Sequence, residues 1–446
     1  MATTLILINP WIYDFAAYDL WSKPLGLLYL GSYLRRCGFQ IRLIDCLDVH
    51  HPGMDTLPVR RAYGTGKYRR EPVPKPEPLK HVPRAYSRYG IAKTLFEDEL
   101  QAVVDPAAIL VTSSMTYWYP GVRDAIALAR KIHPNVPVIL GGIYARLCQE
   151  HARQYVDADH VFSRGGIDSP DSAGKMLTQF GIHAQEIGPF EPRHPYPAFD
   201  LLHRLEYVTL RTSMGCPYRC RYCASPFLNP DITGRDPLEV LDEILYWHDH
   251  YSVRDFAFYD DALLFRSEGH ISVLLEHLMR LKMDLRFHTP NALHIREISP
   301  EMAGLLYHAG FRTIRLGLET SDMDLHQELD KKVSEGEFET AVENLKKAGF
   351  DKKSIGAYIL MGLPGQSVAS VMETIEFAGT AGATPYLAEY SPLPHTPLWE
   401  KALIHSQYDL AHEPLFHNNT LLPCWDEDKI TRVPELKKRV LQYRHD

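Results

Sequence analysis

Two hydrophobic periods alternate along the first third of the chain. Residues 4–10 (TLILINP), 40–45 (QIRLID), 107–113 (AAILVTS), 136–142 (VPVILGG) and 160–164 are short apolar runs of strand length. Residues 25–36 instead repeat Leu27, Leu28, Leu30, Tyr33 and Leu34 at helical spacing, and residues 121–132 and 145–155 carry similar patterns. Strands that alternate with helices pair in parallel, so residues 1–165 predict a doubly wound, Rossmann-like α/β sheet. Ligands of such sheets lie beyond the carboxyl ends of the strands, here Asn9, Asp45, Ser113, Gly141 and Arg164.

The rhythm breaks twice. Residues 49–105 are too long for an ordinary connection and carry Pro72, Pro74, Pro76, Pro78 and Pro83. Between Arg60 and Arg88 this insertion has nine basic and two acidic side chains, which fits a strap packed across the surface or a contact to a phosphate or anionic substrate. Residues 166–205 are rich in proline and lack a period, as expected of an interdomain linker.

Beyond residue 206 the alternation resumes with strand candidates at residues 207–212, 255–259, 285–288, 313–318, 355–361 and 385–390. Asp236 caps the first following helix with Pro237 in its first turn. Helix ends at Gly38-Phe39, Gly310-Phe311 and Gly349-Phe350 share one device, a glycine cap followed by an aromatic anchor. Six βα units are fewer than a closed barrel requires, so residues 206–395 predict an open, partial (β/α)6 barrel with its site at the strands' C-terminal mouth. Residues 396–446 form a short C-terminal extension.

Composition narrows the function classes. The 446 residues are 45 % hydrophobic and 23 % charged, as in folded globular proteins. A formal net charge of -8 argues against general affinity for nucleic acid. No apolar run approaches the roughly 20 residues of a membrane span, and the N-terminus lacks a signal-peptide pattern, so the expected location is the cytoplasm. Of seven cysteines, Cys37, Cys46, Cys148 and Cys424 are scattered, whereas Cys216, Cys220 and Cys223 fall together. Clustered thiols in a reducing compartment more often hold metal than form disulfides.

The cluster lies in Met214-Gly-Cys-Pro-Tyr-Arg-Cys-Arg-Tyr-Cys-Ala224, directly after the first barrel strand. Three thiolates are one short of a structural zinc site. A four-iron cluster held by three cysteines leaves one iron open to the amine and carboxylate of a small molecule. The segment resembles the radical S-adenosylmethionine (SAM) enzymes, whose hallmark is C-x3-C-x-aromatic-C on the loop after the first strand of a partial barrel. The resemblance implies that Cys216, Cys220 and Cys223 hold a 4Fe-4S cluster, that Tyr222 lies near the adenine, and that the reduced cluster cleaves SAM to a hydrogen-abstracting radical. It further implies an electron donor of flavodoxin or ferredoxin type and a small-molecule substrate.

Other segments fit the same family. Tyr259-Asp260-Asp261 closes the second strand, where relatives place groups near the SAM amino group; a solvated turn is the alternative. Asn291 follows the third strand, and Glu319 ends the fourth, where relatives turn a glutamate toward the SAM pocket. A structural Glu319 would instead pair with a cation such as Arg315. Gly362 opens a Gly-Leu-Pro-Gly-Gln turn that resembles the family's own, and His395 could face the substrate. Asp260, Asn291, Glu319 and Gly362 are thus candidate SAM contacts, with Glu319 and Asp261 the candidate catalytic acids.

The first domain is similar to the cobalamin-binding domain that precedes the barrel in one radical SAM subgroup. That similarity implies cobalamin contacts at Ser113, Gly141 and Gly142. Asp48-Val-His50-His-Pro-Gly53 also matches D-x-H-x-x-G, a cobalt-ligand pattern, although here it follows the second strand and not the first. The leading expectation is a cobalamin-dependent radical SAM methyltransferase acting on an unactivated carbon. Competing readings are radical SAM chemistry without cobalamin, methylthio transfer using a second cluster, and a zinc-stabilised binding protein without catalysis.

Overall fold

The computed structural model of the chain describes residues 3–162, 170–183 and 195–445. It divides into two compact units, Met1–Leu205 and Glu206–Asp446.

The first unit is built on β1 (Thr4–Asn9), β2 (Gln40–Asp45), β3 (Ala108–Val111), β4 (Val138–Leu140) and β5 (His160–Val161), all parallel, in the order β5-β4-β3-β1-β2. Leu5, Ile6, Leu7 and Ile8 are all buried, as a strand covered on both faces requires. Helix α1 (Leu25–Arg36) lays Leu27, Leu28, Tyr33 and Leu34 on the sheet and ends in Arg35 and Arg36, which suit the negative end of its dipole. The strand order reverses between β1 and β3, so the crevice beyond Asn9 and Ser113 is the natural ligand position of this sheet.

Three local expectations change. The helix expected from residue 121 begins earlier, as α2 (Tyr119–Ile132) with Pro120 in its first turn. The helix expected over residues 145–155 is two, Ile143–Leu147 and Gln149–Tyr155, broken where Cys148 leaves helical geometry (φ -128, ψ 50). The supposed linker is not free chain where it is described: Ala173, Met176 and Leu177 are buried in the first unit's core, and Ala198 donates its N–H to the Leu28 carbonyl. The expected strand end at Arg164 lies outside the described residues, as do residues 184–194.

The basic insertion folds back onto the segment after β1. Ser87–Tyr89 pairs antiparallel with both Ile12–Asp14 and Arg70–Pro72, and Gly66–Lys67 pairs with Tyr18–Asp19. Its cations are engaged nearby: Arg60 with Asp19 at 2.5 Å, buried Arg88 with Glu71 at 2.7 Å and over the Trp11 ring, and Arg84 over Phe15. The strap reading accounts for this charge without an external anion.

In the second unit β6 (Val208–Leu210), β7 (Asp255–Phe258), β8 (Arg286–His288), β9 (Phe311–Glu319), β10 (Ile355–Met361) and β11 (Thr384–Glu389) form one parallel sheet in chain order. Its edge strands β6 and β11 do not pair with each other, so the sheet stays open. The crossovers are α3 (Pro237–Tyr251), α4 (Ile271–Leu281), α5 (Pro300–Ala309), α6 (Glu337–Ala348) and α7 (Val368–Ala381). Asp236, Ser299 and Ser367 accept hydrogen bonds from the first turns of α3, α5 and α7, and Gly310, Gly349 and Gly382 end α5, α6 and α7 in left-handed conformation. Phe256, Phe258, Phe287 and Phe311 pack as one aromatic cluster. No helix among the described residues is long and apolar enough to cross a membrane.

Polar side chains also link neighbouring strands of this sheet. Asp255 accepts from Arg286, and fully buried His288 bridges Asp255 and Thr313, each at 3.1 Å. Burial pushes the Asp255 carboxyl up, but hydrogen bonds from His288 and Arg286 outweigh it and hold the group below its ordinary value. A depressed carboxylate stabilises the fold above the unfolded value of about 3.9 and loses that contribution as pH falls through the folded value. Asp255→Asn is expected to cost about 3 kcal/mol at neutral pH and to flatten stability against pH below about 4, as read by urea melts across that range.

Candidate active site

The cysteine loop leaves β6 through a small hairpin in which Ser213 and Met214 pair with Gly234 and Thr233. Between these strands the chain must turn sharply beneath its own backbone. Gly215 does so at φ +82, where a Cβ would lie 2.2 Å from the Asp231 carbonyl oxygen. Cys220 is buried, Cys216 and Cys223 are half-buried, and a turn from the Cys220 carbonyl to the Cys223 N–H sets the last two together.

Two adjacent carboxylates at the end of β7 hold this loop. Asp260, 2 % exposed, accepts from the Thr212 N–H at 3.0 Å, the Thr212 hydroxyl at 2.7 Å, the Ser213 N–H at 2.5 Å and the Ser213 hydroxyl at 2.7 Å. Asp261 accepts from the Gly215 N–H at 3.1 Å, the Ser225 hydroxyl at 2.8 Å and the Asn229 amide at 3.1 Å. One carboxylate therefore fixes the entry to the loop and the other ties entry to exit. The pair is therefore not a solvated turn: Asp260 is buried, Asp261 is half-buried, and the chain itself supplies the donors that each carboxylate needs. Asn291 donates to the Asp260 backbone carbonyl at 3.1 Å and so belongs to the same scaffold.

The far side of the loop is gripped as well. The Arg221 N–H donates to the Leu329 carbonyl at 2.8 Å, and the Arg221 carbonyl accepts from the Leu398 N–H at 3.0 Å. Tyr222 packs against the core made by Leu329, Leu360, Leu363, Tyr390 and Leu398. Its hydroxyl donates to Asp330 at 3.3 Å and accepts from Lys332 at 2.8 Å. Tyr218 stacks on His294 at 3.6 Å, and burial pushes that imidazole down to about 3, so it stays neutral.

Glu319 lies at the end of β9 in a left-handed conformation (φ 62), next to a register shift against β10. A non-glycine residue held there is strained, and such strain concentrates at functional positions. Its carboxylate is 6 % exposed, and burial makes it a weaker acid than an ordinary glutamate even with the Lys332 ammonium 3.5 Å away. The expected structural partner, Arg315, instead stacks on the Tyr386 ring. Gly362 (φ 96) opens its turn, which buried Gln366 holds by accepting from the N–H groups of Gly362 and Leu363 and donating to the Leu360 carbonyl. His395 stacks on Phe227 at 4.1 Å.

Burial raises the Cys216 thiol and pushes Cys220 up to about 12, so the metal-free chain holds them protonated, and ligation would exchange the proton for iron. Among the described residues no three His, Cys, Asp or Glu side chains are gathered around one ion position. A single tetrahedral ion with bonds of about 2.3 Å draws its thiolates to within about 4 Å of one another, whereas a four-iron cluster takes each thiolate on a separate iron. Three cysteines on one loop match the three protein ligands of a four-iron cluster with one open iron, whereas a structural zinc site takes four.

In the first unit, Asn9 donates to Asp45 at 2.7 Å across the ends of β1 and β2, and burial pushes the Asp45 carboxyl up to about 6. The Ser113 hydroxyl donates to the Gly141 carbonyl at 2.6 Å. The paired glycines differ in role. A Cβ on Gly142 would lie 2.2 Å from the Ser113 carbonyl oxygen, so the chain itself needs that glycine, whereas a Cβ on Gly141 would meet nothing within 4 Å. Asp48 caps the His50 N–H at 2.8 Å and binds the His203 ring at 2.6 Å, so the acid of the D-x-H-x-x-G pattern is engaged by a different histidine.

Residues 210–378 match the profile of the Radical SAM superfamily. This chain carries a radical SAM domain. The match spans β6 to most of α7, including the cysteine loop. An uncharacterized methyltransferase of Pyrococcus horikoshii is 23 % identical over 353 residues, covering 70 % of this chain and 74 % of its own. The cytidylyl-2-hydroxyethylphosphonate methyltransferase of Streptomyces wedmorensis is 20 % identical, covering 85 % of this chain and 77 % of its own. The radical SAM methyltransferase TsrM of Kitasatospora setae, solved with cobalamin and a 4Fe-4S cluster, matches with TM-score 0.64 at 17 % identity over 92 % of this chain and 80 % of that one. At that identity the likeness is one of fold.

Of these features, Lys332, Asp330 and Gln366 escape a reading of the radical SAM motif alone. Asp330-Lys331-Lys332 looks like a solvated charge run, and only the fold turns Lys332 inward. Replacing Asp261 with alanine is expected to speed amide exchange across residues 214–229 of the metal-free chain by at least about tenfold while the sheet exchanges as before, as measured by hydrogen–deuterium exchange mass spectrometry.

Proposed function

We propose that the protein is a cobalamin-dependent radical SAM methyltransferase acting on an unactivated carbon of a small molecule. The observation that carries the reading is the cysteine loop: three thiols on a segment anchored at entry, exit and far side, inside a domain of the radical SAM superfamily. Cys216, Cys220 and Cys223 would hold the cluster, leaving one iron for SAM. Tyr222, Asn291, Glu319 and Gly362 would border SAM, and Ser113, Gly141, Gly142 and His50 would border cobalamin. Bound together, these cofactors supply a hydrogen-abstracting radical and a transferable methyl group.

The chain's own residues hold the reacting parts still. Asp260 and Asp261 restrain the loop that carries the thiols, and the buried face of Tyr222 keeps water from one side of it. Glu319, raised by burial and facing Lys332, can accept hydrogen bonds from a polar ligand or hold a proton. In the first unit the open face of Gly141, at the end of β4 and hydrogen-bonded to Ser113 beyond β3, allows a bulky cofactor to approach the backbone. The methyltransferase names of the relatives, and the cobalamin and cluster bound in TsrM, support the same reading. The working location would be the cytoplasm, with a flavodoxin or ferredoxin as electron donor.

A second reading, radical SAM chemistry without cobalamin, is favoured by the Ser113 hydroxyl, which already donates to Gly141 and is not free to donate to a nucleotide tail. Anaerobic reconstitution with iron, sulfide and hydroxocobalamin separates the two. The expected outcome is about four irons per chain, one tightly held cobalamin, and SAM consumption that Cys216→Ala, Cys220→Ala or Cys223→Ala each abolishes. Iron-loaded protein that consumes SAM but releases cobalamin on gel filtration selects the second reading, and protein without iron refutes both.

A further inference from the structure

Lys332 does not belong to the cysteine motif, yet it is the cation that the fold buries behind it. Its side chain is 9 % exposed. The ammonium donates to the Tyr222 hydroxyl at 2.8 Å, lies 3.4 Å from Asp330 and 3.5 Å from Glu319, and stands 5.4 Å from the centre of the Tyr222 ring. Asp330 is itself built in: it accepts from the Lys332 N–H at 3.0 Å and from the His326 ring at 3.3 Å. Lysine is rarely buried without a reason in charge, because desolvation disfavours the ammonium. Here two carboxylates and a phenol face it, and that phenol belongs to Tyr222, which stands between Cys220 and Cys223 in the motif.

We propose that Lys332 is the fixed counter-charge of the cysteine loop: it positions Tyr222 and raises the reduction potential of the cluster held by Cys216, Cys220 and Cys223. The inference rests on the proposed cluster site. Its physical basis is simple. One-electron reduction adds a negative charge to a group already ligated by three thiolates, and a cation held in a dry, low-dielectric position favours the more negative state. Because Lys332 is carried by the segment after Leu329 and not by the loop, its charge stays in place when the loop takes up iron. The same ammonium restrains Tyr222 through its hydroxyl, so one side chain sets both the position and the electrostatics of the motif's aromatic residue.

The test is an EPR-monitored redox titration of the reconstituted full chain without SAM. It compares wild type with Lys332→Met, Lys332→Arg and, as an exposed control on α6, Lys347→Met. Lys332→Met is expected to lower the reduced-to-oxidised ratio at a given potential by about tenfold or more, a shift of roughly 59 mV for one electron. Lys332→Arg and Lys347→Met are expected to keep the wild-type midpoint. If Lys332→Met folds but takes up no iron while Lys332→Arg loads fully at the wild-type midpoint, the proposal also stands, since that pair of variants differs in charge. An unchanged midpoint in Lys332→Met, or a Lys332→Arg chain that fails together with it, overturns the assignment. Wild-type protein that takes up no iron overturns this assignment and the cluster site together, whereas loaded wild type indifferent to residue 332 overturns the assignment alone.

Discussion

A loop that must present three thiols to one inorganic cluster can have little regular structure of its own, because helix or strand geometry would point the side chains apart. Its order has to be imposed from outside. In this protein the imposing groups are the adjacent carboxylates Asp260 and Asp261 at the end of β7, whose donors come from residues 212, 213, 215, 225 and 229. A buried carboxylate left without donors is costly, so these bonds tie the loop to the end of β7. The sheet supplies the rigidity, and the two side chains transmit it.

The second constraint is electrostatic. Cys220, Glu319, Asp330, Tyr222 and Lys332 share one poorly hydrated region, and their charges cannot be assigned one at a time. Burial pushes the thiols and Glu319 toward their neutral forms, while Lys332 pulls the other way. Glu319 is also held in a left-handed backbone conformation beside a register shift, so local strain and charge coincide at the end of β9.

The first unit follows the ordinary logic of a doubly wound sheet, with its irregular features at the strand ends. Asn9, Asp45, Ser113 and Gly141 meet there through direct hydrogen bonds, and the insertion that interrupts the sheet is tied down by its own ion pairs and ring contacts. Several cations of a basic stretch in sequence thus become internal contacts of a strap in structure. Asp19 and the rings of Trp11 and Phe15 lie far from it along the chain and reach it through antiparallel pairing, whereas Glu71 belongs to the insertion itself.

Hydrophobic periodicity and glycine placement were enough to find the strands of both sheets to within a few residues, because burial on a sheet and capping of a helix are local in the chain. The cysteine spacing alone pointed to a cluster with an open iron, since ligand number and type are written in one short segment. What the segment 214–224 could not reveal is who holds it. Asp260 and Asp261 look like a surface turn, Lys332 like part of a charge run, and Glu319 like a partner for Arg315, until the fold brings together residues from 13 to 110 positions apart. Direction and burial of a polar side chain depend on the residues packed around it. Those neighbours belong to other strands, so only the tertiary structure decides whether a charge faces water or the site.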